Sequence, residues 1–287
     1  MKIGFVGAGK VGFSLGKYFS INNITLSGYY SKNYISAKEA ANFTDSNYYS
    51  TIYDLINDSD IILITTPDDV VSEIWQEIKL FNIKNKIICH TSGSLTSEIF
   101  LDISNSDAYA YSLHPIFPFS DKFTTYKYLS SCYFSLEGNK KYLFLMKDFF
   151  EALGNTVFII AENKKALYHL SNVMVSNLVL SLINKGCGYL CECGLKPSDA
   201  LNALMPLIEN NLINLKTKGF SSSLTGPIER GDLDTISKHL KVIPQKDAEL
   251  YKNLSLNLIN LSSQKHPEKD YVLLEQILGG SINEKLY

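Results

Sequence analysis

Lys2-Ile3-Gly4-Phe5-Val6-Gly7-Ala8-Gly9-Lys10-Val11-Gly12 begins as a short β-branched and aromatic segment and ends in the pattern G-x-G-x-x-G. Apolar residues then recur at helical spacing, so the sequence predicts a strand, a glycine turn and a helix. In that context Gly7 allows a tight turn, Gly9 lets a pyrophosphate approach the backbone, and Gly12 lets the helix pack closely on the strand. We expect the whole turn (Gly7, Ala8, Gly9, Lys10, Val11 and Gly12) to bind a dinucleotide; the alternative is a glycine-rich corner without a ligand.

Strand-like and helix-like segments alternate from this turn to about Ile160, which predicts a doubly wound α/β domain. The nearly all-apolar run 60–66 is typical of a central parallel strand buried on both faces. Ligands of such sheets bind beyond the carboxyl ends of the strands. We therefore expect Thr65, Thr66 and Pro67 to line the cofactor site, with Thr91 after the next strand. Asp68 is also placed to cap the following helix.

The end of the second predicted strand, 24–30, indicates which dinucleotide binds. An Asp or Glu at this place accepts from the ribose of NAD, whereas small polar or basic residues accommodate the 2′-phosphate of NADP. Here Ser31 and Lys32 follow the strand, and no acidic residue occurs before Glu39. The sequence therefore favours NADP(H); the alternative for Lys32 is a solvated loop residue.

Two further strand ends carry polar residues that suit contact with a substrate. Ser92 lies in His90-Thr91-Ser92-Gly93-Ser94, and His114 begins His114-Pro115-Ile116-Phe117-Pro118. The two prolines predict a stiff loop at the edge of the sheet, directly after a strand over 108–113.

Beyond Ile160 the period of the apolar residues becomes helical. One long helix is predicted over 164–190, and shorter helices follow it to the end of the chain. We therefore predict a Rossmann domain over 1–161 and an all-helical domain over 162–287, with a small substrate bound in the cleft between them.

Polar residues on the long predicted helix are candidates for chemistry. His169 and Asn177 are eight residues apart, which places them about 80° apart around a helix. The alternative for His169 is a satisfied structural histidine. Arg230, the only arginine of the chain, lies in Leu224-Thr225-Gly226-Pro227-Ile228-Glu229-Arg230-Gly231-Asp232. Its planar guanidinium suits a carboxylate or phosphate, or a structural pair with Asp232 or Glu229, while Thr225 could cap a helix that starts at Pro227.

Composition excludes several classes of partner. The 287 residues are 45% hydrophobic and 20% charged, with a net charge of −2, so nothing points to nucleic acid. We find no uninterrupted apolar run of transmembrane length and no signal peptide. Five unevenly spaced cysteines form neither a disulfide framework nor a metal-ligand pattern, so we expect a cytoplasmic protein without a metal site.

A set of motifs, taken in order, resembles a known family over essentially the whole chain. The set comprises Gly7 to Gly12, His90-Thr91-Ser92-Gly93, His114-Pro115, Tyr168-His169 with Ser176-Asn177, and Thr225-Gly226-Pro227 with Arg230-Gly231-Asp232. It is similar to the Rossmann-like reductases whose helical C-terminal domain was formerly of unknown function. These belong to the 6-phosphogluconate dehydrogenase-like superfamily, beside ketopantoate and pyrroline-5-carboxylate reductases.

The resemblance implies an NADPH-dependent reductase of a small 2-oxo acid, most closely 2-dehydropantoate (ketopantoate) on the route to pantothenate and coenzyme A. Ketopantoate reductases carry a lysine two turns before an asparagine. That pattern places His169 at the lysine position and Asn177 at the asparagine, with Lys165 one turn away as the alternative proton donor. Ser92, His114, Thr225 and Arg230 are expected to contact the substrate, and relatives suggest a homodimer. The alternatives are a cyclic imine reductase and an NADPH-binding protein without turnover; substrate and stereochemistry stay open.

Overall fold

An eight-stranded sheet forms the core of the first of two units into which the chain divides, Met1–Val179 and Leu180–Tyr287. The computed structural model describes residues 1–279. The strands are β1 (Ile3–Val6), β2 (Leu26–Tyr30), β3 (Asn47–Tyr48), β4 (Ile61–Ile64), β5 (Ile87–His90), β6 (Tyr109–Ile116), β7 (Tyr133–Gly138) and β8 (Thr156–Ile159).

The order of the strands is β3-β2-β1-β4-β5-β6-β7-β8. Neighbouring strands run parallel except β6 and β7, which pair antiparallel. The helices of this unit are α1 (Lys10–Ile21), α2 (Tyr34–Thr44), α3 (Ile52–Asn57), α4 (Asp68–Ile78), α5 (Leu143–Glu151) and α6 (Lys165–Val175). This α/β fold confirms the predicted doubly wound Rossmann domain followed by helices.

Two apolar layers cover the sheet because side chains of a strand alternate between its faces. In β4, Ile61 and Leu63 join one layer and Ile62 and Ile64 join the other. All four are buried, as predicted for a central strand of a parallel sheet. The strand ends that hold the candidate site are therefore fixed by a packed core.

His114 and Pro115 lie inside a strand, so the predicted stiff loop is wrong at these residues. β6 extends from Tyr109 to Ile116, with Pro115 opposite Phe134 of β7. On its other side β6 pairs with β5 only as far as Ser112. Pro115 lies past the end of β5, where no neighbouring strand requires the N–H that proline lacks.

The long helix predicted over 164–190 is broken at Ser176. α6 ends at Val175 and α7 (Asn177–Glu192) begins two residues later, while Ser176 has φ −114° and ψ −84°. The Ser176 hydroxyl donates to the carbonyl of Asn172 over 2.7 Å and to Asn177 Oδ1 over 2.9 Å. A serine hydroxyl that donates to the carbonyl four residues earlier competes with the backbone hydrogen bonds of the helix, and this competition bends or ends helices.

The border between the two units falls within α7, later than the predicted border after residue 161. α6 belongs with the sheet because Lys165 and Tyr168 hydrogen-bond to residues of β6. The extent of the second domain stays a prediction, and its last eight residues lie outside the described part of the chain.

The second unit is helical over its described residues. After α7 come α8 (Pro197–Ser223), α9 (Pro227–Arg230), α10 (Leu233–Val242), α11 (Gln245–Lys265) and α12 (Val272–Ile277). Its buried apolar cluster comprises Ile228, Ile236, Ile259, Tyr271, Leu274 and Leu278. The cap predicted at Thr225 is not formed: Gly226 precedes α9, and no side chain caps it.

One segment, Glu162–Glu192, is long and apolar enough to cross a membrane by length and composition alone, with a mean hydropathy of 1.4 over a window of 18 residues. Lysine and histidine interrupt its apolar residues, so it is not an uninterrupted apolar run. Length and composition are weak evidence for a membrane span, and two features of the structure argue against one. The segment is broken at Ser176, and its Lys165 is buried against the sheet.

Candidate functional site

A groove of about 690 Å³ opens at the carboxyl ends of β1, β2 and β4. Eight of the twelve residues predicted to bind the cofactor line it: Gly7, Ala8, Gly9, Ser31, Lys32, Thr65, Thr66 and Pro67. The other four do not line it. Lys10 is an exposed first residue of α1, Val11 packs against the apolar layer, Gly12 is buried beneath the turn, and Thr91 follows β5.

The glycines of the opening turn allow close packing at two places and leave space at a third. Gly7 has φ +106°, which side chains of L-residues rarely allow. A Cβ on Gly12 would lie 2.6 Å from the Gly7 carbonyl oxygen and 2.7 Å from Thr65 Oγ1. A Cβ on Gly9 would meet no atom within 4 Å. The structure itself therefore does not require a glycine at position 9, and the free space faces the groove.

The residues at this end of the groove fit a pyrophosphate. The first turn of α1 has no side-chain cap, so its backbone N–H groups are open to an anion. Thr66 Oγ1 is buried and has no hydrogen-bond partner among the described residues. Thr65 cannot serve in the same way because its hydroxyl donates to the Gly7 carbonyl over 2.8 Å.

The opposite end of the groove carries mixed charge. Ser31 and Lys32 follow β2, and Asn33 caps α2 by accepting from the amides of Ile35 and Ser36. Among the described residues, Lys32 is the one cationic side chain that lines the groove, whereas Glu73 and Glu77 of α4 are the anionic ones. The two glutamates are not among the residues predicted from the sequence to line the cofactor site.

A second set of polar residues covers one face of the β6–β7 pair. Ser112 lies opposite Glu137, and His114 lies opposite Ser135. Residues directly opposite in an antiparallel pair project to the same face. The residues between them, Tyr111, Leu113, Phe134 and Leu136, belong to the apolar layer on the other face.

Helix α6 presents a matching polar stripe to this face. Lys165, Tyr168, His169 and Asn172 occupy positions i, i+3, i+4 and i+7, which lie on one side of a helix. Lys165 and Tyr168 are the buried residues of α6, with 1% and 9% of their surface exposed. The apolar residues of α6 instead face outward, so burial on this helix is the reverse of what hydropathy alone predicts.

Lys165 is the most deeply buried charged group of this stripe. Its Nζ donates to Ser112 Oγ over 2.7 Å. Burial lowers the pKa of the ammonium to about 8, although the carboxylate of Glu137 opposes this shift. Glu137 is itself 5% exposed and accepts from the amide and the hydroxyl of Ser97 over 2.8 and 2.6 Å. A lysine with this pKa is charged at neutral pH and can still give up its proton.

His114 is paired with Tyr168. The His114 Nδ1 and the Tyr168 hydroxyl are 2.5 Å apart. Burial, together with the nearby Lys165 cation, lowers the pKa of His114 to about 4. His114 is therefore neutral at physiological pH.

A short loop connects the groove to this polar face. Ser92 and Ser94 both donate to Asp68 Oδ2 over 2.7 Å, and Asp68 directly follows Pro67 of the groove. Gly93 lies against both histidines, since a Cβ on it would be 2.9 Å from His114 Nε2 and 3.0 Å from His169 Cδ2. The cofactor groove and the polar face of β6–β7 therefore adjoin within one compact unit.

His90 supports this loop and is not free for chemistry. Its Nδ1 accepts from the Ser92 amide over 3.2 Å, and its Nε2 lies 3.0 Å from the Thr96 carbonyl oxygen. Burial lowers its pKa to about 4. Both ring nitrogens are thus used in holding the loop in place.

The remaining predicted site residues are placed less closely together. Asn177 is the exposed first residue of α7, beyond the break, and accepts from Ser176. Arg230 lies in the second unit, where its Nη2 is 3.7 Å from Asp232 Oδ2. Thr225 lies in the same loop. Ser92, His114, Lys165 and His169 are the predicted residues that the structure brings together.

Three residues of this polar face, Ser112, Ser135 and Glu137, were not predicted from the sequence. Tyr168 was noted only as part of the motif Tyr168-His169, and Asn172 only as a polar neighbour of His169 on the helix. A signal for the three strand residues exists in the alternation of the strands. Ala110-Tyr111-Ser112-Leu113-His114 and Phe134-Ser135-Leu136-Glu137 each place polar residues on one face only. In an otherwise apolar sheet, a polar face on two successive strands indicates a site.

Comparisons with known proteins agree with this architecture. The sequence-family model of a Rossmann-like domain matches residues 1–115. The sequence-family model of a domain of unknown function, DUF2520, matches residues 132–258. No significant match is found among curated protein sequences.

Solved structures show the same fold over nearly the whole chain. Protein TM1727 from Thermotoga maritima is 23% identical with a TM-score of 0.71, covering 92% of this chain and 99% of that chain. BF3122 from Bacteroides fragilis, assigned as an NADP oxidoreductase, is 20% identical with a TM-score of 0.69. The match covers 90% of this chain and 98% of that chain.

The pyrroline carboxylate reductase of Plasmodium falciparum, solved with NADP bound, is 16% identical with a TM-score of 0.60. The match covers 92% of this chain and 96% of that chain. Identities this low establish the fold alone. The chain therefore combines a Rossmann-like domain with a helical region matching DUF2520, on the fold that NADP-dependent reductases also adopt.

Proposed function

We propose that this protein is an NADPH-dependent oxidoreductase that reduces the carbonyl group of a small 2-oxo acid, with 2-dehydropantoate as the first substrate to test. The observation that carries the proposal is the position of Lys165. A buried lysine with a lowered pKa lies on the polar face that adjoins a dinucleotide groove. A proton donor of this kind is what a carbonyl reduction needs beside its hydride donor.

Two parts of the site have different tasks in the proposed reaction: the groove binds the cofactor, and the polar face of β6–β7 binds the substrate and supplies the proton. NADPH, when bound, supplies the hydride. Gly9 and the open first turn of α1 would hold its pyrophosphate, while Ser31 and Lys32 would hold the 2′-phosphate. Lys165 Nζ gives its proton to the carbonyl oxygen as the alkoxide forms. Ser112 orients the ammonium, and Ser92, His114 and His169 surround the substrate.

A carbonyl substrate fits Lys165 better than an imine does. An alkoxide that forms beside Lys165 is stabilised by its positive charge and takes its proton. A protonated imine already carries both the proton and a positive charge, which the ammonium opposes. Reduction of a cyclic imine such as pyrroline-5-carboxylate is therefore the second candidate.

The proposal also includes the substrate contacts that the sequence predicts for Arg230 and Thr225. The guanidinium would hold the carboxylate of the 2-oxo acid. Arg230→Lys tests this, since it keeps the charge and removes the planar fork; an increased KM for the acid with an unchanged KM for NADPH is expected.

The decisive experiment measures oxidation of NADPH and NADH by the purified protein with 2-dehydropantoate, pyrroline-5-carboxylate and simple 2-oxo acids. Lys165→Met should abolish turnover, and Lys164→Met, a change of the exposed neighbouring lysine, should preserve it. Turnover of the imine alone would replace the 2-oxo acid by the second candidate. Tight NADPH binding without any turnover would indicate a cofactor-binding protein instead of an enzyme.

We also propose that the protein is a cytoplasmic homodimer that associates through its helices. Only 6% of the apolar window in Glu162–Glu192 is buried within one chain. Further large apolar side chains of α7 and α8 are exposed: Leu180, Leu201, Leu207, Leu212, Ile213 and Phe220. Patches of this kind mark association sites.

Sedimentation equilibrium tests the assembly. Leu207→Glu should yield monomers, whereas Leu80→Glu, at an even more exposed leucine of the first unit, should leave the dimer intact. A wild-type protein that sediments as a monomer at micromolar concentration would contradict the proposal.

A further inference from the structure

The hydrogen bond between Tyr168 and His114 decides which nitrogen of the histidine carries a proton. A neutral imidazole has one N–H and one lone pair, and these can be exchanged between Nδ1 and Nε2. The low pKa of His114 keeps the ring neutral, and burial raises the pKa of Tyr168, so the phenol keeps its proton. One of the two groups must donate across the 2.5 Å separation, and the other must accept.

The lack of other partners decides the direction of this bond. Tyr168 is 9% exposed, and among the described residues its hydroxyl is bonded to His114 Nδ1 alone. If the phenol oxygen accepted from His114, its own O–H would be buried without an acceptor, which costs free energy. The imidazole therefore accepts, and the phenol directs its O–H to His114 Nδ1.

The proton of the imidazole is then on Nε2, on the side of the ring that faces Gly93. A Cβ on Gly93 would lie 2.9 Å from His114 Nε2 and 3.0 Å from His169 Cδ2. Gly93 has no positive φ, so its backbone does not require a glycine. A side chain at this position would collide with His114, so glycine lets the loop pack directly against the two histidines.

We infer that Tyr168 holds His114 in the Nε2–H form, and that this neutral N–H, which has no partner among the described residues, donates a hydrogen bond to the substrate oxygen. The inference rests on the proposed function and assigns separate tasks within it. Lys165 supplies the proton, whereas His114 polarises the carbonyl without transferring one. Tyr168 is a positioning residue that acts through His114.

This arrangement defines the class of substrate more narrowly. A fixed N–H donor needs an acceptor, which a carbonyl oxygen is and a protonated imine nitrogen is not. A site that is built to donate discriminates strongly against a ligand that leaves its donor unpaired. The geometry therefore selects ketones over iminium ions, independently of the charge of Lys165.

Nitrogen NMR of the protein without substrate tests the tautomer directly. Protein labelled with ¹⁵N-histidine is compared with His114→Gln, whose missing signals identify the His114 ring. The two-bond couplings are expected to show the Nε2–H form between pH 6 and 8. Tyr168→Phe should shift the ring toward Nδ1–H or a mixture. An Nδ1–H ring in the wild type overturns the inference even if the protein is an active reductase.

Kinetics with the substrate found active test the role of the N–H. His114→Gln places an amide nitrogen near the position of Nε2, and His114→Asn places one near Nδ1. The first should retain much of kcat, and the second should lose about 10²–10³-fold, the usual cost of an absent donor to a developing oxyanion. The KM for NADPH should be unchanged in both. Equal losses in the two variants would refute the assignment, while the NMR result stands whether or not any substrate is turned over.

Discussion

Lys165 Nζ donates a hydrogen bond of 2.7 Å to Ser112, a residue 53 positions earlier in the chain. Ser112 lies directly opposite Glu137 in the β6–β7 pair, so the ammonium and this buried carboxylate share one face of the sheet. No ion pair within 4.0 Å joins them among the described residues. The cation is therefore held by a neutral hydroxyl, with its counter-charge at a distance.

The burial of Lys165 predicts a specific dependence of stability on pH. Its pKa is about 8 in the folded protein and near 10.5 in the unfolded chain, so the unfolded chain holds more protons between these values. The contribution of Lys165 to the free energy of unfolding thus rises with pH from about 8 to 10.5, by about 3 kcal/mol in total.

The wild type and Lys165→Met are compared by urea unfolding at pH 7, 8.5 and 10, since other titrating groups cancel in the difference. The free energy of unfolding of the wild type minus that of the variant should increase with pH. A difference that is flat across this range would show that Lys165 is not buried as a cation.

The opening turn predicts different results for two glycine substitutions. Gly12→Ala places a Cβ against the Gly7 carbonyl and Thr65, so it should cost about 1–3 kcal/mol of stability and also weaken NADPH binding. Gly9→Ala meets no atom of the protein and should cost less than about 1 kcal/mol. Its methyl group would nevertheless enter the space for the pyrophosphate, so NADPH should bind at least about tenfold more weakly.

Thermal unfolding and titration of NADPH fluorescence measure these two effects separately. If Gly9→Ala binds NADPH as tightly as the wild type, the pyrophosphate does not lie over this turn.

How far the sequence predicts the molecule depends on which contacts are local. The glycine turn, the apolar strand of β4 and the polar residues after β2 follow from residues near one another in the chain, and the structure places them as expected. The break at Ser176 is local too, but its cause is a side-chain hydrogen bond to Asn172 that competes with the helix.

The polar face of β6–β7 was not predicted because it depends on register. Ser112 meets Glu137, and His114 meets Ser135, only through an antiparallel pairing that interrupts a parallel sheet. Lys165 is predicted only as the alternative proton donor, because the family pattern of a lysine two turns before an asparagine falls on His169 and Asn177. Its burial follows from tertiary packing of α6 on that face, which helical periodicity does not show.

The choice between the two nicotinamide cofactors should depend on Lys32. Within residues 1–279 it is the one cation that lines the groove, and Glu73 and Glu77 line the same groove with negative charge. Lys32→Glu should weaken NADPH binding about tenfold or more and leave NADH binding nearly unchanged. Lys38→Glu, at an exposed lysine of α2, makes the same change of charge outside the groove and serves as the control. Equal effects of the two variants would mean that only overall charge matters.

Glu137 should set the pH range in which Lys165 can act. Among the charges near Lys165, the carboxylate of Glu137 contributes most to keeping its pKa from falling further. Glu137→Gln removes that charge and keeps an oxygen that can accept from Ser97, so the pKa of Lys165 should fall. The loss of kcat at high pH should then begin at a lower pH than in the wild type, with the KM for NADPH unchanged.

The pH dependence of kcat with the active substrate measures this shift. Glu98→Gln changes a more exposed carboxylate near the same loop and should leave the profile in place. Glu137→Ala extends the test, because it also removes the acceptor of two hydrogen bonds from Ser97 and should cost about 1–3 kcal/mol of stability. Of the two glutamates, only Glu137 shares a sheet face with Ser112, the residue that accepts from the Lys165 ammonium. If the pH profile shifts equally in Glu98→Gln and Glu137→Gln, or shifts in neither, Lys165 is not the group whose protonation limits kcat at high pH.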